Sequence, residues 1–164
     1  MHDTSYKEMK RLVKSLDFKG TIIDVGSLDV NGSYKDLFDG WKYIGVDLCA
    51  GKNVDEVVCQ YYIPFDNVDL VISGSCLEHD ERPWLLVGEI YRILKPGGIC
   101  FLNAPASIRE HRYPIDCWRI LPDGMASLML NAGFKDVKSY IKPDNAMSRY
   151  HRYNIIDCWG VGVK

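Results

Sequence analysis

The sequence has no long apolar run. No uninterrupted apolar stretch in the 164 residues approaches the length of ~20 residues that a helix needs to cross a bilayer. The first eight residues also lack the apolar core of a secretory signal. The net charge of −2 at pH 7 argues against a general affinity for nucleic acid. We therefore expect a single cytoplasmic domain over residues 1–164, with no membrane or nucleic-acid partner.

The cysteines lack the spacing of a disulfide framework or a zinc site. No C-x-x-C pair occurs among the six cysteines, which are scattered at Cys49, Cys59, Cys76, Cys100, Cys117 and Cys158. They are typical of reduced thiols in a cytosolic protein. Cys76 and His79 stand at a loose metal spacing, but no second pair accompanies them. The sequence therefore predicts no metal site.

Glycine-rich loops that hold nucleotide phosphates are also missing. Gly26 follows an apolar run, but Leu28 stands two residues later and the next glycine is Gly32. A dinucleotide site uses G-x-G-x-x-G so that backbone N–H groups can approach a pyrophosphate. No G-x-x-x-x-G-K-[ST] segment occurs either. A ligand with a ribose but no phosphates fits this turn better, and S-adenosylmethionine is such a ligand.

What the sequence does contain is a strand, turn, helix and strand near its start. Residues 21–26 and 43–47 are short β-branched runs that predict buried strands, and residues 33–38 between them are a short helix candidate. Ligands in such α/β sheets bind outside the carboxyl ends of the strands, where Gly26 and Asp47 fall. Asp47 follows Gly26 at roughly the 20-residue distance that suits a carboxylate reaching ribose hydroxyls.

Apolar periodicity predicts the remaining elements. Helices are expected over residues 5–16, 81–94 and 122–132, and strands over 54–59, 68–73, 99–103, 135–141 and 153–163. The first helix has an apolar stripe, which favours packing on the sheet over a flap above the ligand. The last two strands are expected to pair in antiparallel fashion at one end of the sheet.

Six segments occur in an order that is informative as a set: residues 23–27, 45–47, 63–65, 69–73, 77–79 and 89–98. Together they resemble the class I S-adenosylmethionine-dependent methyltransferases of the small-molecule type called methyltransferase type 11. The resemblance implies an α/β, Rossmann-like fold. Its seven-stranded sheet would be mostly parallel, with helices on both faces and the last strand antiparallel.

The resemblance also implies the cofactor S-adenosylmethionine and residues that hold it. Asp24 would anchor the amino-acid tail and Asp47 the ribose. The full expected set is Asp24, Gly26, Ser27, Asp47, Leu48, Cys59, Gln60, Ser73 and Gly74. The sequence departs from the family in the first turn, where Leu28 and Val30 replace glycines, and at Cys59 or Gln60, where an acidic residue is usual. Asp24 and Gly26 also have a purely structural interpretation, as a turn-stabilising carboxylate and a turn glycine.

Candidate acceptor residues follow the fourth and fifth predicted strands. Methyl transfer from a sulfonium is an in-line displacement, and a general base is needed only when the acceptor starts protonated. Residues 104–119 form a long loop dense in polar and aromatic groups, and such loops are often functional. The candidate catalytic residues are His79, His111 and Asp116, and the candidate substrate contacts are Glu78, Tyr113 and Trp118. Glu78 and His79 have an equally good interpretation as residues that stabilise a helix start.

The function predicted from these residues is methyl transfer to a small molecule or glycan precursor. A non-catalytic S-adenosylmethionine-binding module, acting as a partner or sensor subunit, is the alternative. The enzyme would have the loop over 104–119 lining an acceptor space, whereas in the binding module that loop would be disordered or would fill the space. A second basic and aromatic cluster, residues 149–153, would favour an anionic acceptor if it folded near Arg109 and Arg112. The sequence does not predict an oligomeric state.

Overall fold

The computed structural model describes residues 3–141 and 156–164. Its strands are β1 (Thr21–Val25), β2 (Lys42–Asp47), β3 (Glu56–Val57), β4 (Val68–Gly74), β5 (Leu94–Ser107), β6 (Lys135–Ile141) and β7 (Ile156–Val163). Its helices are α1 (Asp3–Lys14), α2 (Pro83–Ile93) and α3 (Pro122–Ala132). Single 3-10 turns occupy Lys35–Leu37 and Leu77–His79.

All seven strands form one sheet, in the order β3-β2-β1-β4-β5-β7-β6. The first five strands in this order are parallel to one another. β7 enters between β5 and β6 and runs antiparallel to both. The chain order reverses at β1, which has β2 on one side and β4 on the other. This arrangement confirms the predicted fold class, including the reversed last strand.

Helices cover both faces of the sheet. Ile22 and Ile23 are adjacent in β1 and fully buried, and they belong to different core clusters because successive strand residues point to opposite faces. On the Ile22 face lie Met9 of α1 and Trp159 of β7. On the Ile23 face lie Ile90 of α2 and Met129 of α3. The apolar stripe of the first helix therefore packs on the sheet, as the sequence favours.

The first half of the sheet has less regular structure than the sequence predicts. The third strand, expected over residues 54–59, pairs with β2 only at Glu56 and Val57, which are exposed at the sheet edge. The helix expected over residues 33–38 is one 3-10 turn. Both segments are therefore short connections close to the ends of β1 and β2, and they leave space beside those strand ends.

The fifth strand is longer than the expected 99–103. It begins where α2 ends, and its register with β4 shifts between Val68 and Leu70. Gly97 has a φ of 77° in this stretch. The helix expected over 81–94 therefore ends close to the expected residue. The residues that follow it form an irregular start to β5 rather than a separate turn.

Two expectations fall outside the described residues. They are the start of the last predicted strand, residues 153–155, and the basic cluster over 149–153. Among the helices of residues 3–141 and 156–164, none has the length and apolarity needed to cross a membrane.

Candidate functional site

A cavity of about 630 Å³ lies at the carboxyl ends of β1, β2 and β4, beside the point where the strand order reverses. One side comes from the turn after β1 and the segments after β2 and β3. The other side comes from the segment after β4 and the loop after β5. The lining residues are 24–28, 30–34, 46–49, 58–61, 63, 74–76, 79–80, 86, 108–109, 111 and 113–114.

The turn after β1 requires glycine at Gly26. Its φ is 75°, and a Cβ built there would lie 2.7 Å from Cys76 Sγ in the segment after β4. The backbone N–H groups of Gly26 and Ser27 both donate to the Val46 carbonyl oxygen, at 2.9 and 3.1 Å. Ser27 Oγ donates to the Asn53 carbonyl oxygen at 3.0 Å. The turn is thus held against β2 while it lines the cavity.

Asp24 is a buried acid in the wall of the cavity. Tyr43 donates a short hydrogen bond from its hydroxyl to Asp24 Oδ2, and Asn53 Nδ2 donates to the Tyr43 hydroxyl at 3.1 Å. Burial raises the pKa of Asp24 to about 7. The hydrogen bond from Tyr43 acts in the opposite direction and offsets part of this rise. The site therefore contains a carboxyl group whose charge is costly until a cation approaches it.

Asp47 joins the turn after β1 to the end of β2. Its Oδ2 accepts from the Leu28 N–H at 3.1 Å, and its Oδ1 accepts from the Cys49 N–H at 3.2 Å. A carboxylate has about four acceptor positions, so each oxygen can take a further bond from a ligand hydroxyl. Leu48, Cys59 and Gln60 line the cavity beside it.

Gly74 and Ser73, both at the end of β4, differ in position. Gly74 lines the cavity, and a Cβ there would lie 2.7 Å from Tyr34 Cε2. Ser73 is fully buried, and its hydroxyl donates to the Val25 carbonyl oxygen at 2.9 Å. Of the nine expected cofactor residues, Ser73 is therefore the one that does not line the cavity, because its side chain ties β4 to β1.

Two histidines face the opposite end of the cavity. His79 follows β4 and His111 lies in the loop after β5, with ring centroids 4.9 Å apart. Burial, with a contribution from His79, lowers the pKa of His111. Glu78 lies behind them, and neither of its fully buried carboxylate oxygens has a hydrogen-bond partner among the described residues. Burial raises the pKa of Glu78 to about 8.

The remaining loop candidates separate into one cavity residue and two structural ones. Tyr113 lines the cavity. Asp116 does not: Arg119 binds its carboxylate through two nitrogens, at 2.6 and 2.7 Å, and holds its pKa well below the usual range. Trp118 also lies outside the lining, and its Nε1 donates to the Asp80 carbonyl oxygen at 2.8 Å. Asp116 and Trp118 therefore shape the loop.

Several cavity residues are not among the sequence candidates. Tyr61 donates from its hydroxyl to Asp80 Oδ1 at 2.6 Å, and both residues line the cavity. Tyr61 belongs to a loop with two adjacent tyrosines, which is a weak sequence signal. Cys76 follows the fourth predicted strand, where the cleft is expected to open, whereas Tyr34 carries no sequence signal and reaches the cavity only through the packing of the turn.

Comparison with known proteins agrees with this geometry. The model of a family described as "Methyltransferase domain" matches residues 23–102. An uncharacterized methyltransferase of Mycobacterium avium is 42% identical over 43 residues, which are 25% of this chain and 17% of that protein. The chain thus matches about a sixth of the length of that curated relative.

Solved structures share the fold over nearly the whole chain. An Archaeoglobus fulgidus S-adenosylmethionine-dependent methyltransferase has a TM-score of 0.73 at 18% identity, covering 99% of this chain and 94% of that one. The Burkholderia thailandensis 1,6-didemethyltoxoflavin-N1-methyltransferase, solved with its substrate and S-adenosylhomocysteine, has a TM-score of 0.74 at 15% identity, covering 99% and 79%. The chain therefore shares the fold of S-adenosylmethionine-dependent methyltransferases, and the methyltransferase-domain model matches just under half of it.

The burial of Asp24 predicts a pH-dependent stability difference. With a folded-state pKa of about 7, the folded chain keeps a proton that the unfolded chain loses above pH ~4. The contribution of Asp24 to stability is therefore present below pH ~4 and is lost as the pH rises to 7. Asp24→Asn removes this penalty. We expect its thermal midpoint to exceed that of the unchanged protein by ~5 °C at pH 8 and to match it near pH 4.

Thermal unfolding monitored by circular dichroism across pH 4–8 measures this difference. Asp39→Asn, at an exposed aspartate, is the matched control and should show no pH-dependent difference. A midpoint for Asp24→Asn that is unchanged or lower at pH 8 would show that the buried carboxyl is not destabilising.

Proposed function

We propose that this chain binds S-adenosylmethionine and transfers its methyl group to a small-molecule acceptor. The observation that carries the proposal is that one cavity is lined by residues from the ends of β1 and β2 and by residues from the segments after β4 and β5. The end formed by β1 and β2 has carboxylates and backbone groups. The end formed after β4 and β5 has histidines and Tyr113. A cofactor held at the first end would present its methyl group toward the second.

The charge of the lining supports this cofactor. Three aspartates, Asp24, Asp47 and Asp80, line the cavity, and Arg109 is the single lysine or arginine among the described lining residues. This balance favours a ligand with a sulfonium and an ammonium over one with a pyrophosphate. We assign the ammonium of the amino-acid tail to Asp24 and the ribose hydroxyls to Asp47.

The loop after β5 supports an enzyme over a non-catalytic binding module. Ile108, His111 and Tyr113 line the cavity and leave it open, whereas a module without an acceptor has no need of that space. In the reaction, an acceptor lone pair forms a bond to the methyl carbon as the carbon–sulfur bond breaks, and a neutral thioether leaves. The protein's part is to align the two groups, which is worth up to ~7–11 kcal/mol in favourable systems.

Replacing Asp47 tests the cofactor end. Asp47→Asn keeps the size of the side chain but removes charge-assisted hydrogen bonds of ~1.5–3 kcal/mol, so S-adenosylmethionine should bind at least tenfold more weakly. Isothermal titration calorimetry gives the two dissociation constants, with Asp39→Asn as the exposed control. Unchanged affinity in a folded Asp47→Asn protein would remove Asp47 from the site. Micromolar binding of NAD would contradict the choice of cofactor.

Replacing Tyr113 tests the acceptor end. Tyr113→Ala should leave the affinity for S-adenosylmethionine nearly unchanged and reduce methyl transfer by ~10²-fold, since it misplaces the acceptor alone. The assay incubates fractionated metabolite extracts with methyl-labelled cofactor and follows label in small molecules. Arg112→Ala is the matched control, because Arg112 is exposed in the same loop and does not line the cavity.

Two outcomes of this assay count against the proposal. Cofactor binding without methyl transfer to any fraction would favour the non-catalytic module. Equal loss of transfer in Tyr113→Ala and Arg112→Ala would show that the loop acts through its overall fold rather than through an acceptor wall.

A further inference from the structure

Glu78 has a buried carboxyl group without a hydrogen-bond partner among the described residues. Its side chain is 1% exposed, and both oxygens lack a hydrogen-bond partner among the described residues. Buried carboxylates are normally paired with a cation or fully hydrogen-bonded, because an isolated charge is costly in the interior. The nearest imidazole nitrogens, at 3.8 Å in His79 and 4.0 Å in His111, are too far for hydrogen bonds.

His79 is oriented with its free nitrogen toward Glu78. Its Nδ1 lies 2.6 Å from the Ile115 carbonyl oxygen. A carbonyl can only accept, so Nδ1 carries a proton, and in the neutral imidazole Nε2 is then the nitrogen with the lone pair. That Nε2 is the atom 3.8 Å from Glu78 Oε1. A backbone carbonyl on one ring nitrogen is the arrangement by which proteins orient a metal-binding histidine.

His111 lies beside a second carboxylate, although its buried Nδ1 has no hydrogen-bond partner among the described residues. Its Nδ1 lies 3.6 Å from Asp116 Oδ2, and its backbone N–H donates to the same oxygen at 2.7 Å. Arg119 holds Asp116 in place from the other side. The Nε2 of His111 also lies near Glu78 Oε1, at 4.0 Å.

We propose that Glu78, His79 and His111 form a binding site for a divalent transition metal ion, of which Zn²⁺ suits the ligand set best. Their ligand atoms all lie within 4.8 Å of one another. Two nitrogens and one carboxylate oxygen are a known zinc set, with bonds of about 2.0–2.2 Å. Such bonds require ligand atoms about 3.3–3.6 Å apart, so the three side chains need only small movements.

The surrounding charge also favours a cation. Asp157, which is 1% exposed, and Asp116 both act on Glu78 with like charge. Arg119 offsets this effect only in part, since it is already paired with Asp116. A divalent ion would satisfy the unpaired oxygens and reduce the repulsion at the same time.

The ion would have an open position toward the cavity, because both histidines line it. Three protein ligands with one open position are typical of catalytic rather than structural zinc. An acceptor hydroxyl or thiol bound there loses its proton more readily and becomes a better nucleophile. This role rests on the proposed function; the metal site itself does not.

This proposed metal site departs from the sequence-based prediction that the chain has no metal site. The spacing of Cys76 and His79 is the only local signal, and Cys76 is not one of the proposed ligands. Glu78 and His79 meet His111 through the path of the loop after β5, which no local spacing reveals.

Titration of the metal-stripped full-length chain with Co²⁺ tests the proposal, with no cofactor or acceptor present. We expect one ion per chain, visible absorption bands of four- or five-coordinate cobalt, and displacement by Zn²⁺. Glu78→Gln and His111→Ala should each weaken binding by at least 100-fold. Glu110→Gln, at an exposed carboxylate beside His111, should bind as the unchanged chain does.

The variants distinguish loss of the site from loss of the fold. Glu78→Gln keeps the buried volume, and a circular-dichroism spectrum and thermal midpoint close to those of the unchanged chain show that it is folded. Absence of Co²⁺ and Zn²⁺ binding in the unchanged chain would overturn the proposal, as would undiminished binding in both Glu78→Gln and His111→Ala. Metal binding without methyl transfer would count against the proposed function alone.

Discussion

The close approach of the turn after β1 to the segment after β4 is the constraint on which the site depends. Gly26, at a φ of 75°, leaves no room for a Cβ beside Cys76, and its N–H is bonded to β2. The turn therefore spans the point where the strand order reverses. Asp24 and Asp47 occupy the adjacent strand ends, and the cavity opens between the turn and the loop after β5.

The loop after β5 is held to the segment after β4 by a second set of contacts. The Cys117 N–H donates to the Glu78 carbonyl oxygen at 2.7 Å, and the Ile115 carbonyl accepts from His79. Asp116 and Arg119 fix the conformation between them. These contacts place His79 and His111 side by side although they are distant in sequence. The side of the cavity that we propose for the acceptor is therefore built from two segments that depend on each other.

Sequence pattern predicts the parts of this structure that local chemistry determines. The buried run of β4 and the helix over 122–132, ended by Gly133 at a φ of 108°, follow from apolar pattern and glycine. The sequence places Ser73 among the expected cofactor residues, whereas in the structure its fully buried hydroxyl donates to the Val25 carbonyl of β1. The pairing of Asp116 with Arg119, three residues later, is local enough to be anticipated. The meeting of Glu78 with His111 is not, since it depends on the path of a loop without regular structure.

The central claim is that the two ends of the cavity hold the cofactor and the acceptor respectively. A crystal structure of the chain with S-adenosylhomocysteine tests this most directly. We expect the ribose hydroxyls within hydrogen-bonding distance of Asp47, the ammonium near Asp24, and the sulfur facing His79 and His111. Adenosine bound away from the ends of β1 and β2, or a sulfur turned away from the histidines, would contradict the account.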